Sequence, residues 1–256
     1  MLLSGAAVIE AAPEKSVALD VLPSLLELHA SPGETIERSV TLTNPGEDDI
    51  EVSAEPADWS MTEQGDVNFL TPGTNPSGCA TWILVTPSTI RVPARGQARV
   101  SVRVRAAGEL DGTRWAAVFF RLPRVQGFHR GSPADLVPRV ALTVYVTGGT
   151  ERESLEMTEV SAAGSPDDAL LRALFDNKGN TAVRVRMTWQ IRSASGSVLR
   201  TNAATVVSLP RSRREAAVRV YDLPAGKYRV TAMAQWGNRS FRVRECALEV
   251  PSTSRL

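Results

Sequence analysis

The sequence predicts an all-β protein built from two tandem immunoglobulin-like β-sandwich domains. Three observations lead to this prediction. Apolar residues alternate with polar ones along most of the chain, turn sequences recur at short intervals, and the candidate strands divide into two sets of seven. Seven strands in roughly 100–130 residues is the size of one such sandwich.

The first domain is predicted to occupy residues 16–148. In its clearest strand Val100, Val102 and Val104 alternate with polar residues, so the three valines share one face. Turn sequences such as Asn44-Pro45-Gly46 separate the strands. The candidate strands cover 16–29, 35–43, 48–55, 80–86, 97–106, 114–122 and 136–147.

The second domain is predicted to occupy residues 149–251, with a tail at 252–256. Alternation is strongest around Trp189 and Trp236, and we expect both rings to be buried in its core. A change of parity near Arg244 predicts a β-bulge in the last strand. The candidate strands cover 152–161, 169–175, 182–192, 197–207, 214–221, 227–236 and 240–249.

Two stretches between the strands of the first domain are predicted loops, at 58–77 and 126–133. Trp59 and Trp82 flank the first loop, and we expect them to be partly exposed. Long loops on a sandwich are either binding loops or tolerated insertions, and the sequence does not choose between these.

The residues needed for most chemistry are scarce. The chain has two cysteines, Cys79 and Cys246, and two histidines, His29 and His129, all far apart in sequence. We therefore predict no catalytic residues, no metal and no cofactor, whereas a Cys79–Cys246 disulfide stays open. No apolar run reaches the roughly 18–20 residues of a membrane-spanning helix, so no membrane span is expected.

The N-terminus and the charge distribution suggest where the protein works. Residues 1–15 are typical either of the remnant of a secretory signal or of a disordered terminus, and the first reading predicts a periplasmic or cell-surface location. Residues 1–149 carry 12 basic and 17 acidic groups, net −5, and residues 150–256 carry 17 and 11, net +6. This contrast indicates either different partners or complementary domain faces.

An arginine-rich face is the most distinctive chemical feature of the second domain. It is a candidate face for an anionic partner, with an ordinary solvated surface as the alternative. Nucleic acid is not an expected partner, because the aromatic residues share the buried parity. The face comprises Arg184, Arg186, Arg192 and Arg229.

The first domain also carries a series of short motifs in a definite order. It begins with Pro23-Ser24-Leu25-Leu26-Glu27-Leu28 and Thr41-Leu42-Thr43-Asn44-Pro45-Gly46, followed by Ala57-Asp58-Trp59. Val85-Thr86-Pro87-Ser88-Thr89-Ile90 and Gly96-Gln97-Ala98-Arg99-Val100 come next. Residues 20–147 thereby resemble the N-terminal domain of the PapD-like periplasmic pilus chaperones, in particular their archaic branch, whereas the second domain resembles generic bacterial immunoglobulin-like or fibronectin-like modules.

The resemblance implies a site on the last strand of the first domain, at 137–146. In that family this strand adds to a partner that lacks a strand, and its alternate apolar residues fill the partner's groove. The matching row here is Val140, Leu142, Val144 and Val146. Of the two basic residues that hold the partner's carboxylate, Arg139 matches the one on the last strand, but the first-strand position holds Leu25 or Leu26.

We therefore expect a non-enzymatic, exported protein that binds another protein. One hypothesis is a chaperone-like capture of a partner segment, such as a pilus or surface subunit, by strand addition. The alternative is a structural or adhesive component of a cell-surface or envelope assembly, which fits the first-strand leucine.

Overall fold

The computed structural model describes residues 18–129, 132–165, 168–237 and 240–252. Within these ranges, nineteen strands and one 3₁₀ turn form two β-sandwiches, which confirms the predicted fold class. The predicted leader at 1–15 lies outside the described residues, as does most of the predicted tail at 252–256.

The first sandwich contains the strands β1 to β12. They are β1 (Asp20–Leu22), β2 (Leu25–His29), β3 (Thr35–Thr43), β4 (Ile50–Met61), β5 (Val67–Leu70), β6 (Ile83–Thr86), β7 (Thr89–Val92), β8 (Gln97–Arg105), β9 (Gly112–Arg121), β10 (Val125–His129), β11 (Ser132–Leu136) and β12 (Arg139–Gly148), with the 3₁₀ turn at Ala80–Trp82. One sheet has the order β1-β3-β8-β6. The other has the order β2-β12-β9-β4-β5, with β7 also on β4, and β10 pairs with β11 as a separate hairpin.

The predicted alternation is seen directly in the core of this sandwich. Val100, Val102 and Val104 are 2%, 0% and 2% exposed, and Phe120 of the opposing sheet is fully buried. Burying a side chain of this kind stabilises the fold by about 1.5–3 kcal/mol before the entropy cost of ordering it.

Both predicted loops are partly wrong. In the first, β4 continues to Met61 and β5 pairs back on it. The buried Asp58 carboxylate fixes the stretch that follows β5. It accepts hydrogen bonds from the N–H groups of Gly73, Asn75 and Ala80 at 2.7, 3.3 and 3.0 Å. In the second, most of 126–133 belongs to the β10–β11 hairpin.

The second sandwich contains the strands β13 to β19. They are β13 (Leu155–Ser165), β14 (Asp168–Asn177), β15 (Val183–Arg192), β16 (Val198–Ser208), β17 (Ser212–Tyr221), β18 (Gly226–Trp236) and β19 (Ser240–Val250). One sheet has the order β13-β14-β17 and the other β16-β15-β18-β19. Trp189 and Trp236 are 1% and 4% exposed, which confirms their predicted place in the core.

The bulge predicted near Arg244 is wrong. β19 pairs with β18 in one unbroken register from Ser240 to Val250. Val243 is half-exposed on the outer face of the sheet, so the change of parity marks an apolar residue facing solvent rather than an extra residue.

Candidate partner-binding site

The strand β12 is paired along its whole length on one side and along half of it on the other. Arg139–Gly148 pairs antiparallel with β9, whereas only Thr143–Thr147 pairs with β2 on the opposite side. Among the described residues, no strand covers that second side from Arg139 to Leu142. The start of β12 is therefore a free sheet edge.

The direction of the backbone groups on this edge follows from two hydrogen bonds. The Thr143 N–H donates to Ser24 on the β2 side at 3.0 Å, and the Pro138 carbonyl accepts from the Leu122 N–H on the other side at 2.9 Å. Successive residues of a strand direct their N–H and C=O groups to alternate sides. Arg139 and Ala141 share the parity of Thr143, so their N–H and C=O groups point out of the free edge.

The apolar row predicted for partner binding lies mainly in the protein's own core. Leu142, Val144 and Val146 are all 0% exposed and pack in the core of the first sandwich, and Val140 is partly buried against it. These three side chains are not available to fill a partner's groove as the chain is folded. This corrects the expectation of a presented row, and only Val140 of the four retains exposed surface.

The β10–β11 hairpin precedes β12 along the chain and forms a separate two-stranded sheet. Leu136 at the end of β11 is 37% exposed and has the same parity as Val140. The base of the hairpin is closed by an ion pair of 2.8 Å between Arg124 and Asp135. The even-numbered row thus runs from buried at Leu142 to exposed at Leu136, a residue that the sequence analysis left out of the site.

An aromatic pair lies on the face of the sheet that points away from the core, over the strands beyond β12. Phe119 of β9 lies edge-on to Phe69 of β5, with ring centroids 4.5 Å apart. The Arg139 guanidinium stands 5.7 Å from the Phe119 centroid on the other side. Phe69 is 52% exposed but stands on β5 at the opposite edge of the sheet, and Phe119 is 7% exposed, so Arg139 is the member of this group that lies at the free edge.

The carboxylate anchor implied by the resemblance is not assembled. Leu25 on β2 pairs with Thr143 of β12. Arg139 precedes Thr143 by four residues on β12 and pairs with Arg121 of β9 on the other side. Leu25 packs in the cluster between the sandwiches, and Leu26 packs in the core. The structure does not bring Arg139 to the first-strand position.

The remaining half of β12 lies against the second sandwich. Trp59, Trp115 and Tyr145 from the first sandwich form a buried cluster with Leu209 from the second. The Trp115 indole donates to the Trp59 carbonyl at 2.8 Å. Burial in this cluster raises the pKa of Tyr145 to about 12. Trp59 is 6% exposed, so the prediction of a partly exposed ring is wrong for Trp59, whereas Trp82 is half-buried.

Polar contacts fix the two sandwiches on either side of this cluster. The Thr113 N–H donates to the Asn180 carbonyl at 2.8 Å, and the Thr113 hydroxyl accepts from the Ala182 N–H at 3.0 Å. Farther away, the Glu63 carbonyl accepts from the Glu215 N–H at 2.7 Å. A Cβ on Gly112 would stand 2.0 Å from the Asn180 oxygen, so only glycine permits this approach.

The four arginines of the predicted anionic-partner face have different neighbours, although Arg192 and Arg229 lie opposite each other on β15 and β18. Arg184 reaches Glu27 of the first sandwich at 2.8 Å, so the charge contrast includes a contact between the two domains. Arg192 donates to Gln190 at 2.7 Å, and Arg229 lies 4.0 Å from Glu245. Arg186 is exposed on the same face. An anionic partner for this face stays a prediction, and Arg184 is already engaged.

Reactive side chains are few in the described part of the chain. No three His, Cys, Asp or Glu side chains converge there in a way that would hold a metal ion. Cys79 and Cys246 are both free thiols. Burial raises the pKa of the Cys79 thiol to about 12 and also raises that of Cys246. Nor do the described residues include a helix long and apolar enough to cross a membrane.

Comparison with known proteins finds solved structures of similar fold but low sequence identity. No family model matches the sequence, and no curated protein matches it. A structure from the chaperone–tip adhesin complex of CFA/I fimbriae biogenesis is similar over 92% of this chain and 100% of its own, with 11% identity and a TM-score of 0.50.

Two further solved structures are similar over about the same length. The CsuC–CsuE chaperone–tip subunit complex of archaic Csu pili from Acinetobacter baumannii matches 90% of this chain and 98% of its own, with 13% identity and a TM-score of 0.48. The CupB2 chaperone of Pseudomonas aeruginosa matches 90% and 100%, with 13% identity and a TM-score of 0.46. At the level of fold, the chain shares its two sandwiches with the structure from the CFA/I chaperone–tip adhesin complex.

Proposed function

We propose that this chain is an exported, non-enzymatic, chaperone-like protein that captures an extended segment of a partner protein by β-strand addition. The free edge of β12 is the observation that carries the proposal. The N–H and C=O groups of Arg139 and Ala141 point outward there, and such groups supply the affinity in strand addition.

The side chains beside this edge supply the selectivity. Val140 and Leu136 offer apolar surface on one face, and the Arg139 guanidinium over the Phe119 ring lies on the other. A partner segment with alternating apolar residues fits these surfaces. A pilus or surface subunit is a partner of this kind, and the fold shared with pilus chaperones supports that choice.

Two substitutions test the edge without disturbing the core. Ala141→Pro removes an outward N–H that no described strand receives, and proline is tolerated at such edge positions. Leu136→Asp places a charge on the exposed part of the row. Leu84→Asp is the matched control, because Leu84 is 55% exposed on the edge strand β6 of the opposite sheet.

Capture from an envelope extract, followed by hydrogen exchange on the purified complex, gives the readout. Wild-type protein and the Leu84→Asp variant should retain the same bound protein, and binding should slow amide exchange at Ala141. The Ala141→Pro and Leu136→Asp variants should no longer retain the bound protein. Equal capture by Ala141→Pro, or protection confined to another part of the chain, would contradict the proposal.

The alternative function is a structural or adhesive component of a cell-surface or envelope assembly. The first-strand leucine favours it, because the cation that the resemblance implies at that position is replaced by an uncharged side chain. A permanent one-to-one complex in the mature assembly would support this alternative. A complex that gives up its bound subunit on assembly would support the chaperone.

A further inference from the structure

The edge strands of the second sandwich differ in how they are protected from pairing with other chains. Exposed edges pair with foreign strands unless charge, bulges or neighbouring elements prevent it. β17 carries four charged residues, which are Arg213, Arg214, Glu215 and Arg219. β13 carries two, Glu156 and Glu159, and has a register shift between Met157 and Glu159.

β19 is protected both by charge and by contact with β13. It carries Arg242, Arg244, Glu245 and Glu249. Its end lies close against β13, since a Cβ on Gly164 would stand 2.2 Å from the Glu249 carbonyl oxygen. One side of the sandwich is therefore closed.

β16 has less charge than β17, β19 or β13. Its register with β15 shifts between Arg200 and Val198, and Val207 packs against the cluster between the sandwiches, so its regular and uncovered part runs from Arg200 to Val206. It is 11 residues long, contains no proline or glycine, and has Arg200 as its one charged residue. It pairs with β15 along Val198–Ser208, and no other strand in the described ranges pairs with it. Val198 and Leu199 at its start are 44% and 40% exposed. A long, weakly charged edge of this kind is a template for strand addition.

We propose that the free edge of β16 is a self-association surface, on which a second copy of this chain pairs its own β16 antiparallel about a two-fold axis. Pairing of this kind joins two four-stranded sheets into one continuous sheet of eight strands. The same surface on both copies satisfies the symmetry of a closed dimer.

The residue pattern of β16 is self-complementary, and this favours a second copy as the occupant. With the two-fold axis at Ala203, Thr201 lies opposite Thr205 of the other copy, and Asn202 lies opposite Ala204. Arg200 lies opposite Val206, so like charges do not meet. Threonine pairs are among the cross-strand neighbours that stabilise antiparallel sheets.

This surface is distinct from the proposed capture site. β16 belongs to the second sandwich and the free half of β12 to the first, so the dimer would leave Arg139 and Ala141 available. Self-association therefore does not depend on the proposed function, and either can fail without the other.

Sedimentation velocity over micromolar to millimolar concentrations of the full chain tests the proposal. The wild type should pass from monomer to dimer. The double variant Thr201→Lys, Thr205→Lys should weaken the dimer by at least about tenfold, because two lysine pairs would face each other across the axis. Both threonines are exposed, so the monomer should remain folded, which thermal unfolding checks.

The control places the same two charges on the same sheet away from β16. Gln235→Lys with Ala247→Lys lies on exposed positions of β18 and β19 and should leave the dimer unchanged. If the lysines on β16 prevent folding, hydrogen exchange of the wild type decides instead: amides of β16 should gain protection as concentration rises. A wild type that stays monomeric, a dimer unaffected by the β16 lysines, or one lost through Ala141→Pro overturns the proposal.

Discussion

The two halves of β12 have the same alternation and opposite surroundings. From Thr143 to Gly148 the strand lies between β9 and β2 and under the second sandwich, whereas from Arg139 to Leu142 it has a strand on one side alone. The side-chain pattern is the same in both halves. The two halves differ because β2 begins pairing with β12 only at Thr143. The free edge is therefore set by the length of the neighbouring strand β2.

The largest expected difference in stability is between a charge placed in the buried half of β12 and a charge placed at the exposed Leu136 before its open half. Val144→Asp puts a carboxylate in the fully buried half, and we expect a loss of about 4–5 kcal/mol in the free energy of unfolding, enough to prevent folding. Leu136→Asp, just before the open half, should change stability by about 0.5 kcal/mol or less. Urea denaturation measures both, and a folded, stable Val144→Asp protein would contradict the core assignment.

The aromatic cluster that lies over the paired half of β12 can be tested by a separate substitution. Trp59→Ala should cost about 3–4 kcal/mol, because it empties the cluster between the sandwiches. It should also separate the unfolding of the two sandwiches, so that fluorescence and circular dichroism transitions no longer coincide. Trp82→Ala is the comparison, because Trp82 is half-buried and lies outside this cluster. Equal losses from both substitutions would contradict a special role for the cluster.

The pH dependence of stability sharpens the same contrast. The pKa of Tyr145 is raised from 10 to about 12 by burial, so the folded state favours the neutral phenol. This contribution is fully present below pH 10 and is lost as the pH rises towards 12, and its size is about 2 kcal/mol. Tyr145→Phe should be near neutral at pH 7 and should flatten the loss above pH 10. An alkaline profile identical to that of the wild type would argue against a buried phenol.

The smallest expected effect on stability is that of the Arg184–Glu27 ion pair between the two sandwiches. Arg184 and Glu27 are both well exposed, so a double-mutant cycle with Arg184→Ala and Glu27→Ala should give a coupling of about 0.2–1 kcal/mol, weaker at high salt. Arg186→Ala, two residues along the same strand, should show no coupling to Glu27. A coupling of several kcal/mol would mean that this pair, rather than the aromatic cluster, holds the domains together.

Alternation along single strands was enough to predict much of the fold. The valines of β8 and the tryptophans of the second core lie where parity puts them, because a strand with one solvated face has to bury the other. The sequence could not show that a face of the first sandwich is itself covered. β9 is buried on both faces around Trp115 and Ala117, and parity says nothing of a second domain that packs on the outer face.

The strand that carries the candidate site was predicted from the sequence, but its pairing was not. The strand and Arg139 were identified, yet the free edge depends on where β2 starts, which is a pairing between residues more than a hundred positions apart. Leu136 was not included because the resemblance placed the binding strand at 137–146, one residue farther on. A signal was present, since Val125 and Leu136 sit at the ends of two short extended runs about one turn.

Residue-resolved hydrogen exchange of the free chain measures whether β12 has an open edge at Arg139–Leu142. The amides of Arg139 and Ala141 should exchange rapidly, because they point out of an open edge, while those of Thr143 and Tyr145 should be protected by β2. If the Ala141 amide is as strongly protected as that of Thr143 when no partner is bound, the edge is not free and the proposed mode of capture is wrong.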